Sequence, residues 1–259
     1  MDRSFIPTFK LEGIEFCGLG LAETAEYIVR SAGSGIGGWV VTPNVDIVRR
    51  FAVDAAFRDL ISQADLFTPD GAPIVWAVRI SGGNLSSRVP GSDLVPKVCE
   101  ECSKAGLPVA FIGGNPGTAL ASMNVLTKLH PALVVAGCIC PSFGFEKDAR
   151  QVSDMEEFVR TTPARVVFVG LGSPKQERLI NGLRRIRPDI WWLGVGATFS
   201  FIAGEVTRAP VWMQKFGLEW AHRLLQEPRR LFHRYLIDDL PFAIRMLLKA
   251  IINRILGSN

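Results

Sequence analysis

The stretch Val166-Val167-Phe168-Val169-Gly170-Leu171-Gly172-Ser173-Pro174-Lys175-Gln176-Glu177 decides the fold. Its apolar start, rich in β-branched valine, suits a strand. Gly170 and Gly172 break the run, and Pro174 pre-sets the backbone for a first helical turn. A strand, a glycine turn and a helix over 174–186 make one βα unit. The same alternation recurs outward in both directions. Strands are predicted over 38–42, 65–68, 109–113, 133–137, 166–170 and 191–195, with helices over 44–63, 92–105, 116–129 and 148–161. The strands are apolar at consecutive positions rather than alternate ones, as in a sheet covered on both faces. Strands and helices in turn predict an α/β fold with a Rossmann-like, largely parallel sheet.

The pattern ends near residue 205. Residues 1–205 are predicted to form the α/β core, and residues 206–259 a helical appendage. The chain's net charge is +4, yet residues 208–259 hold nine Lys/Arg against four Asp/Glu. The positive excess therefore lies wholly in the last fifth. From Leu240 to Leu256, Arg245, Lys249 and Asn253 recur every four residues among Leu240, Phe242, Ile244, Leu247, Leu248, Ile251, Ile252 and Ile255. With Arg223, Arg229, Arg230 and Arg234 nearby, this basic amphipathic helix fits a membrane interface better than nucleic acid. A terminal helix packed on the core has the same pattern.

Hydrophobic residues make up 48% and charged residues 21% of 259, which excludes a disordered or coiled-coil chain. No run reaches the ~18 uncharged apolar residues of a membrane span. The start, Met1-Asp2-Arg3-Ser4-Phe5-Ile6-Pro7, has no apolar signal core, so export is not expected. The five cysteines, Cys17, Cys99, Cys102, Cys138 and Cys140, are then expected to be reduced thiols. Cys99 and Cys102 fall in a helical pattern and Cys138 and Cys140 end an apolar run, without the glycines of a zinc knuckle, so no metal site is expected.

In such a sheet, ligands bind beyond the C-terminal strand ends. Thr42-Pro43-Asn44 follows the first predicted core strand, and Asn44 suits either a helix cap or a ligand contact. Pro69-Asp70-Gly71 offers a carboxylate suited to a turn or to general-base work on a hydroxyl. In Arg88-Val89-Pro90-Gly91-Ser92-Asp93, Ser92 or Asp93 is expected to cap a helix, which leaves Arg88 for a phosphate. Gly113-Gly114-Asn115-Pro116-Gly117-Thr118 lets backbone N–H groups approach an anion. Lys175 opposes the dipole of the helix it opens, a few tenths of a kcal/mol, and so calls for an anion.

There is no Asp-x-Asp pair, no dinucleotide or P-loop fingerprint and no Gly-x-Ser-x-Gly elbow. The histidines His130, His222 and His233 lie far from these loops in sequence. A nucleotide-binding oxidoreductase therefore lacks support. A catalytically inert, membrane-associated nucleotide-sugar-binding module stands as the alternative to an enzyme.

Taken in order, Thr42-Pro43-Asn44, Pro69-Asp70-Gly71, Arg88-x-x-Gly91-x-Asp93, Gly113-Gly114-x-Pro116-Gly117, Gly170-x-Gly172-x-Pro174-Lys175-Gln176-Glu177 and Gly194-Val195-Gly196 resemble the WecG/TagA/CpsF family, glycosyltransferase family 26. The resemblance spans about residues 10–240. It implies an inverting, metal-independent transfer, with no cofactor, of a hexose or N-acetylhexosamine-type sugar. The donor is a UDP-sugar and the acceptor a polyprenyl-diphosphate-linked sugar, at the inner face of the plasma membrane, in surface or exopolysaccharide assembly. Asp70 inherits the role of base; Thr42 and Asn44 lie by the sugar; Arg88 is tied to the diphosphate; Gln176 is on the nucleotide side. Gly113 and Gly114 line the substrate loop. Arg223, Arg230 and Arg234 match the arginines of a C-terminal appendage that closes over the site and engages the membrane. Similar sequences usually carry Asp where this chain has Ser200. The transferred sugar and the acceptor's first sugar stay open, and the amphipathic tail allows a homo-oligomer when no membrane is present.

Overall fold

The computed structural model describes residues 6–85 and 87–257. The stretch Met1 to Phe5, most of the segment read for an export signal, lies outside them. The chain opens on an antiparallel hairpin, β1 (Thr8–Leu11) and β2 (Ile14–Cys17), absent from the sequence-based expectation. Next come α1 (Leu21–Gly33), β3 (Gly38–Val41), α2 (Val45–Val53), α3 (Ala55–Ile61), β4 (Leu66–Phe67), α4 (Ala72–Ile80) and α5 (Gly91–Ala105). The second half of the core holds β5 (Val109–Gly113), α6 (Thr118–Leu129), β6 (Val135–Ile139), α7 (Ala149–Thr161), β7 (Val166–Gly170), α8 (Lys175–Leu183), β8 (Trp191–Gly194) and α9 (Thr198–Ile202).

Strands β3 to β8 form one parallel sheet in the order β4-β3-β8-β7-β5-β6. Successive side chains go to opposite faces. Val40, Phe111, Phe168 and Leu193 pack with α1, α5, α6 and α9. Val41, Ile112, Val169 and Trp192 pack with the helices of the other face. Every residue of β5 and β7 is buried, which is why both read as unbroken apolar runs.

Most expected elements shift by one to three residues at an end, and two change more. The run predicted over 133–137 pairs over Val135–Ile139 instead. Leu133 donates its N–H to the His130 carbonyl at 2.9 Å, closing a turn, so its apolar side chain anchors that turn rather than a strand. The helix expected over 44–63 is two, because Asp54 is extended and its carboxylate accepts the Phe57 N–H at 3.0 Å, restarting the helix.

The rest of the chain is helical: α10 (Val211–Lys215), α11 (Glu219–Gln226), α12 (Pro228–Phe232), a π-helical segment (His233–Asp239) and α13 (Leu240–Leu256). α13 lies against α4, burying Phe242, Ala243, Met246 and Ala250. Burying one Phe or Met side chain contributes about 1.5–3 kcal/mol. Its other face leaves Ile244, Leu248, Ile251, Ile252 and Ile255 exposed. The terminal helix thus has two apolar faces, one packed on the core and one bare.

Candidate active site

The topology opens a crevice between β5 and β7. β5 passes through α6 to β6 on one side, and β7 passes through α8 to β8 on the other. At this reversal of strand order the loops part, leaving room for a ligand. Gly113-Gly114 and Gly170-Leu171-Gly172 edge it. A Cβ at Gly113 would come within 2.8 Å of the Gly170 carbonyl oxygen, and one at Gly170 within 2.6 Å of the Phe199 ring. Gly113 and Gly114 also have φ of 97° and 82°. Only bare backbone fits there, so peptide groups face any ligand in the crevice.

Asp70 stands along the same rim, at the end of β4. With strands ~4.8 Å apart, it lies roughly 15–20 Å from the crevice. Three loops distant in sequence are stapled together around it. The Asp70 N–H donates to the Pro43 carbonyl at 3.0 Å, and the Val89 N–H to the Pro69 carbonyl at 2.7 Å. The buried Thr68 hydroxyl donates to the Val89 carbonyl at 3.0 Å. The Thr42-Pro43-Asn44, Pro69-Asp70-Gly71 and Arg88-Val89 segments therefore meet at one place on the rim. Thr42 is buried beside it, and Asn44 Oδ1 caps α2 by accepting the Ile47 N–H at 3.1 Å.

The Asp70 carboxyl is pushed up to about 7, first because burial disfavours its charged form. Glu219 and Asp93 add to the rise, while Arg88 and Arg223 oppose it. The carboxylate has no hydrogen-bond partner among the described residues. It is a desolvated acid–base group among fixed charges, poised near neutrality.

Two of those four charges, Glu219 and Arg223, come from the appendage, which folds back over the rim. Glu219, the first residue of α11, accepts from Arg88 Nη1 at 2.6 Å, and Arg88 Nη2 donates to Gln214 Oε1 at 3.2 Å. Arg208 Nε reaches the other Glu219 oxygen at 3.4 Å, and Arg208 Nη1 pairs with Asp93. Asp93 was expected to cap α5, but Pro90 holds the N-cap position and Asp93 turns to Arg208 instead. Arg223 lies over the Phe201 ring at 5.4 Å. His222, remote from the loops in sequence, shares the α11 face of Glu219 and Arg223, with a buried Nδ1 that has no partner among the described residues.

Other sequence-predicted residues sit elsewhere. Gln176 is buried, its Oε1 accepting the Gly196 N–H at 2.9 Å and its Nε2 donating to Glu177 at 2.9 Å, so it joins the β7 and β8 loops. Lys175 has a side-chain anion, Glu146, at 2.9 Å. Arg230 is exposed and pairs with Glu227 at 2.9 Å, and Arg234 stacks on Tyr235 at 4.8 Å. Ser200 donates to Glu205 at 3.0 Å, and Thr118 donates to the same carboxylate at 2.5 Å, which puts an acidic group beside the crevice from five residues further on. Among the described residues, no three His, Cys, Asp or Glu side chains are grouped to hold a metal ion. Cys99 and Cys102 are buried within α5, and all five cysteines are free.

Compared with known families, residues 9–255 match the glycosyl transferase WecG/TagA/CpsF family, nearly the whole chain.

Proposed function

Because the chain belongs to the WecG/TagA/CpsF family of glycosyltransferases, which serve cell-surface polysaccharide biosynthesis, we propose that it transfers a sugar from a UDP-sugar to a polyprenyl-diphosphate-linked saccharide with inversion. Asp70 is the general base. The observation that carries this reading is the Asp70 carboxyl, near 7 and stapled between the Pro43 and Val89 loops. A base of that strength is matched to a hydroxyl at neutral pH.

The chemistry is one displacement. The Asp70 carboxylate takes the proton of the acceptor hydroxyl as its oxygen bonds to the anomeric carbon, and the bond to UDP breaks on the opposite face. The anomeric centre inverts, and the electron pair leaves with UDP. The growing charge on the diphosphate needs fixed positive partners. Arg88 and Arg223 supply them without a metal ion. The uridine end of the donor points to the β5–β7 crevice, and the diphosphate and sugar extend along the rim toward Arg88, Thr42, Asn44 and Asp70.

The acceptor's lipid sets the rest. No helix of the described residues is long and apolar enough to cross a membrane. The appendage exposes Trp212, Phe216, Leu225, Phe232, Ile244 and Leu248 beside exposed Lys215, Arg229, Arg245 and Lys249. Apolar side chains among basic ones suit the interface of an anionic bilayer. This supports residues 206–259 as a membrane-seating unit on the 1–205 core, peripheral on the inner face. The test is incubation with a panel of UDP-sugars and a short-chain polyprenyl-diphosphate sugar in excess EDTA. One donor should yield a longer lipid-linked saccharide; no product from any donor, or product only when Mg²⁺ or Mn²⁺ is restored, would contradict the proposal.

A further inference from the structure

Glu219 bridges two arginines at the site although it belongs to the appendage. One oxygen meets Arg88 Nη1 at 2.6 Å and the other Arg208 Nε at 3.4 Å. A two-oxygen anion spanning two guanidinium groups is also how a phosphate is held. The arginines are not saturated by it. Among the described residues, the buried Arg208 Nη2 and Arg223 Nε have no hydrogen-bond partner. Buried donors are normally satisfied, so unpaired ones mark room for further acceptors. Arg88, Arg208 and Arg223 face Glu219, Asp93 and Asp70, so their charges balance only while Glu219 is in place and Asp70 is ionised. With Glu219 withdrawn, the cluster carries an uncompensated positive charge.

We infer that the Glu219 carboxylate occupies an anion seat formed by Arg88 and Arg208, and yields it to the diphosphate of an incoming substrate. The inference rests on the proposed glycosyl transfer, and it adds Arg208 to the groups that hold diphosphate. A diphosphate carries more charge and more acceptor oxygens than one carboxylate, so it also engages the idle Arg208 and Arg223 donors. Binding frees the Glu219 carboxylate from Arg88 and Arg208, while Arg223, on the same helix, stays over the site. The appendage therefore changes its hold on the core when substrate arrives, not merely by thermal fraying.

The experiment measures binding of UDP, uridine and farnesyl diphosphate to the full chain and to Glu219→Gln, Arg208→Gln and the double variant. Thermal melts check that each is folded. The neutral amide competes poorly for guanidinium groups, so Glu219→Gln should tighten UDP or farnesyl diphosphate at least about fivefold and leave uridine unchanged. Arg208→Gln should weaken the same ligand about tenfold, alone and in the double variant. Tightening of UDP assigns the seat to the donor's diphosphate; tightening of farnesyl diphosphate alone assigns it to the acceptor's. If both ligands bind the parent chain and Glu219→Gln binds them equally or more weakly, Glu219 is a fixed support for Arg88 and the inference falls. If neither binds the parent chain, the glycosyl-transfer reading falls with it.

Discussion

The Asp70 N–H donates to the Pro43 carbonyl at 3.0 Å. This bond fixes where the Asp70 carboxylate stands relative to Thr42 and Asn44, although 27 residues separate its partners. The site is a set of backbone staples before it is a set of side chains.

Thr68 is the most exposed to test among those staples. Its buried hydroxyl donates to the Val89 carbonyl at 3.0 Å. Thr68→Val keeps the shape and removes the donor, leaving a buried carbonyl unpaired at a cost of about 1–3 kcal/mol. Urea unfolding should show that loss, and sugar transfer should fall at least about tenfold as Asp70 and Arg88 lose their common frame.

The rate should follow Asp70. Since its carboxyl lies near 7, kcat/KM should fall as pH drops below about 7. Glu219 raises this value and Arg88 lowers it. Glu219→Gln should therefore move the acid limb to lower pH, and Arg88→Gln to higher pH. Limbs that stay put in both variants would remove Asp70 as the titrating group.

Stability should run the opposite way to activity. The folded state holds the Asp70 proton up to about 7, whereas an unfolded chain releases it near the ordinary 3.8. Between those values the native state binds more protons, so stability falls as pH rises. Asp70→Asn abolishes that loss. At pH 8 it should raise Tm by roughly 3–8 °C, about 1–3 kcal/mol, while at pH 4 the two proteins should melt alike.

The two faces of α13 separate folding from membrane binding. Met246→Ala, on the packed face, should cost about 2–5 kcal/mol in urea unfolding. The triple change Ile244→Ser, Leu248→Ser, Ile252→Ser, on the bare face, should leave unfolding within about 0.5 kcal/mol per site. It should cut sedimentation with vesicles of anionic lipid at least about tenfold. Undiminished sedimentation would move the membrane contact elsewhere.

Much of the core was legible because its physics is local. Val109–Gly113 and Val166–Gly170 match their predicted bounds, since burial on both faces forces uninterrupted apolar runs. α13 also matches, from Leu240 to Leu256. α4 escaped notice because it is sandwiched between the core and α13, with Ile74, Val75, Ala77 and Val78 buried, and so shows no polar stripe to reveal a helical period. α1 carries such a period, in Ala25, Ile28, Val29 and Ala32, yet no helix was expected there, so this element was missed although its signal is in the sequence. At the site, Thr42, Asp70 and Arg88 were visible as polar residues at strand ends. Glu219, Arg208 and His222 were not, because their meaning arises only when the appendage folds across more than a hundred residues of chain. Glu205 beside Ser200 follows the same rule over a shorter span, through a bond from Thr118.

The most direct test is turnover by Asp70→Asn, with UDP binding measured on the same sample. Transfer of labelled sugar to the polyprenyl acceptor should fall by about three orders of magnitude or more, while UDP binds within about threefold of the parent chain. An Asp70→Asn protein that binds UDP and still transfers sugar at a rate near the parent's would contradict the assignment of this carboxylate as the base.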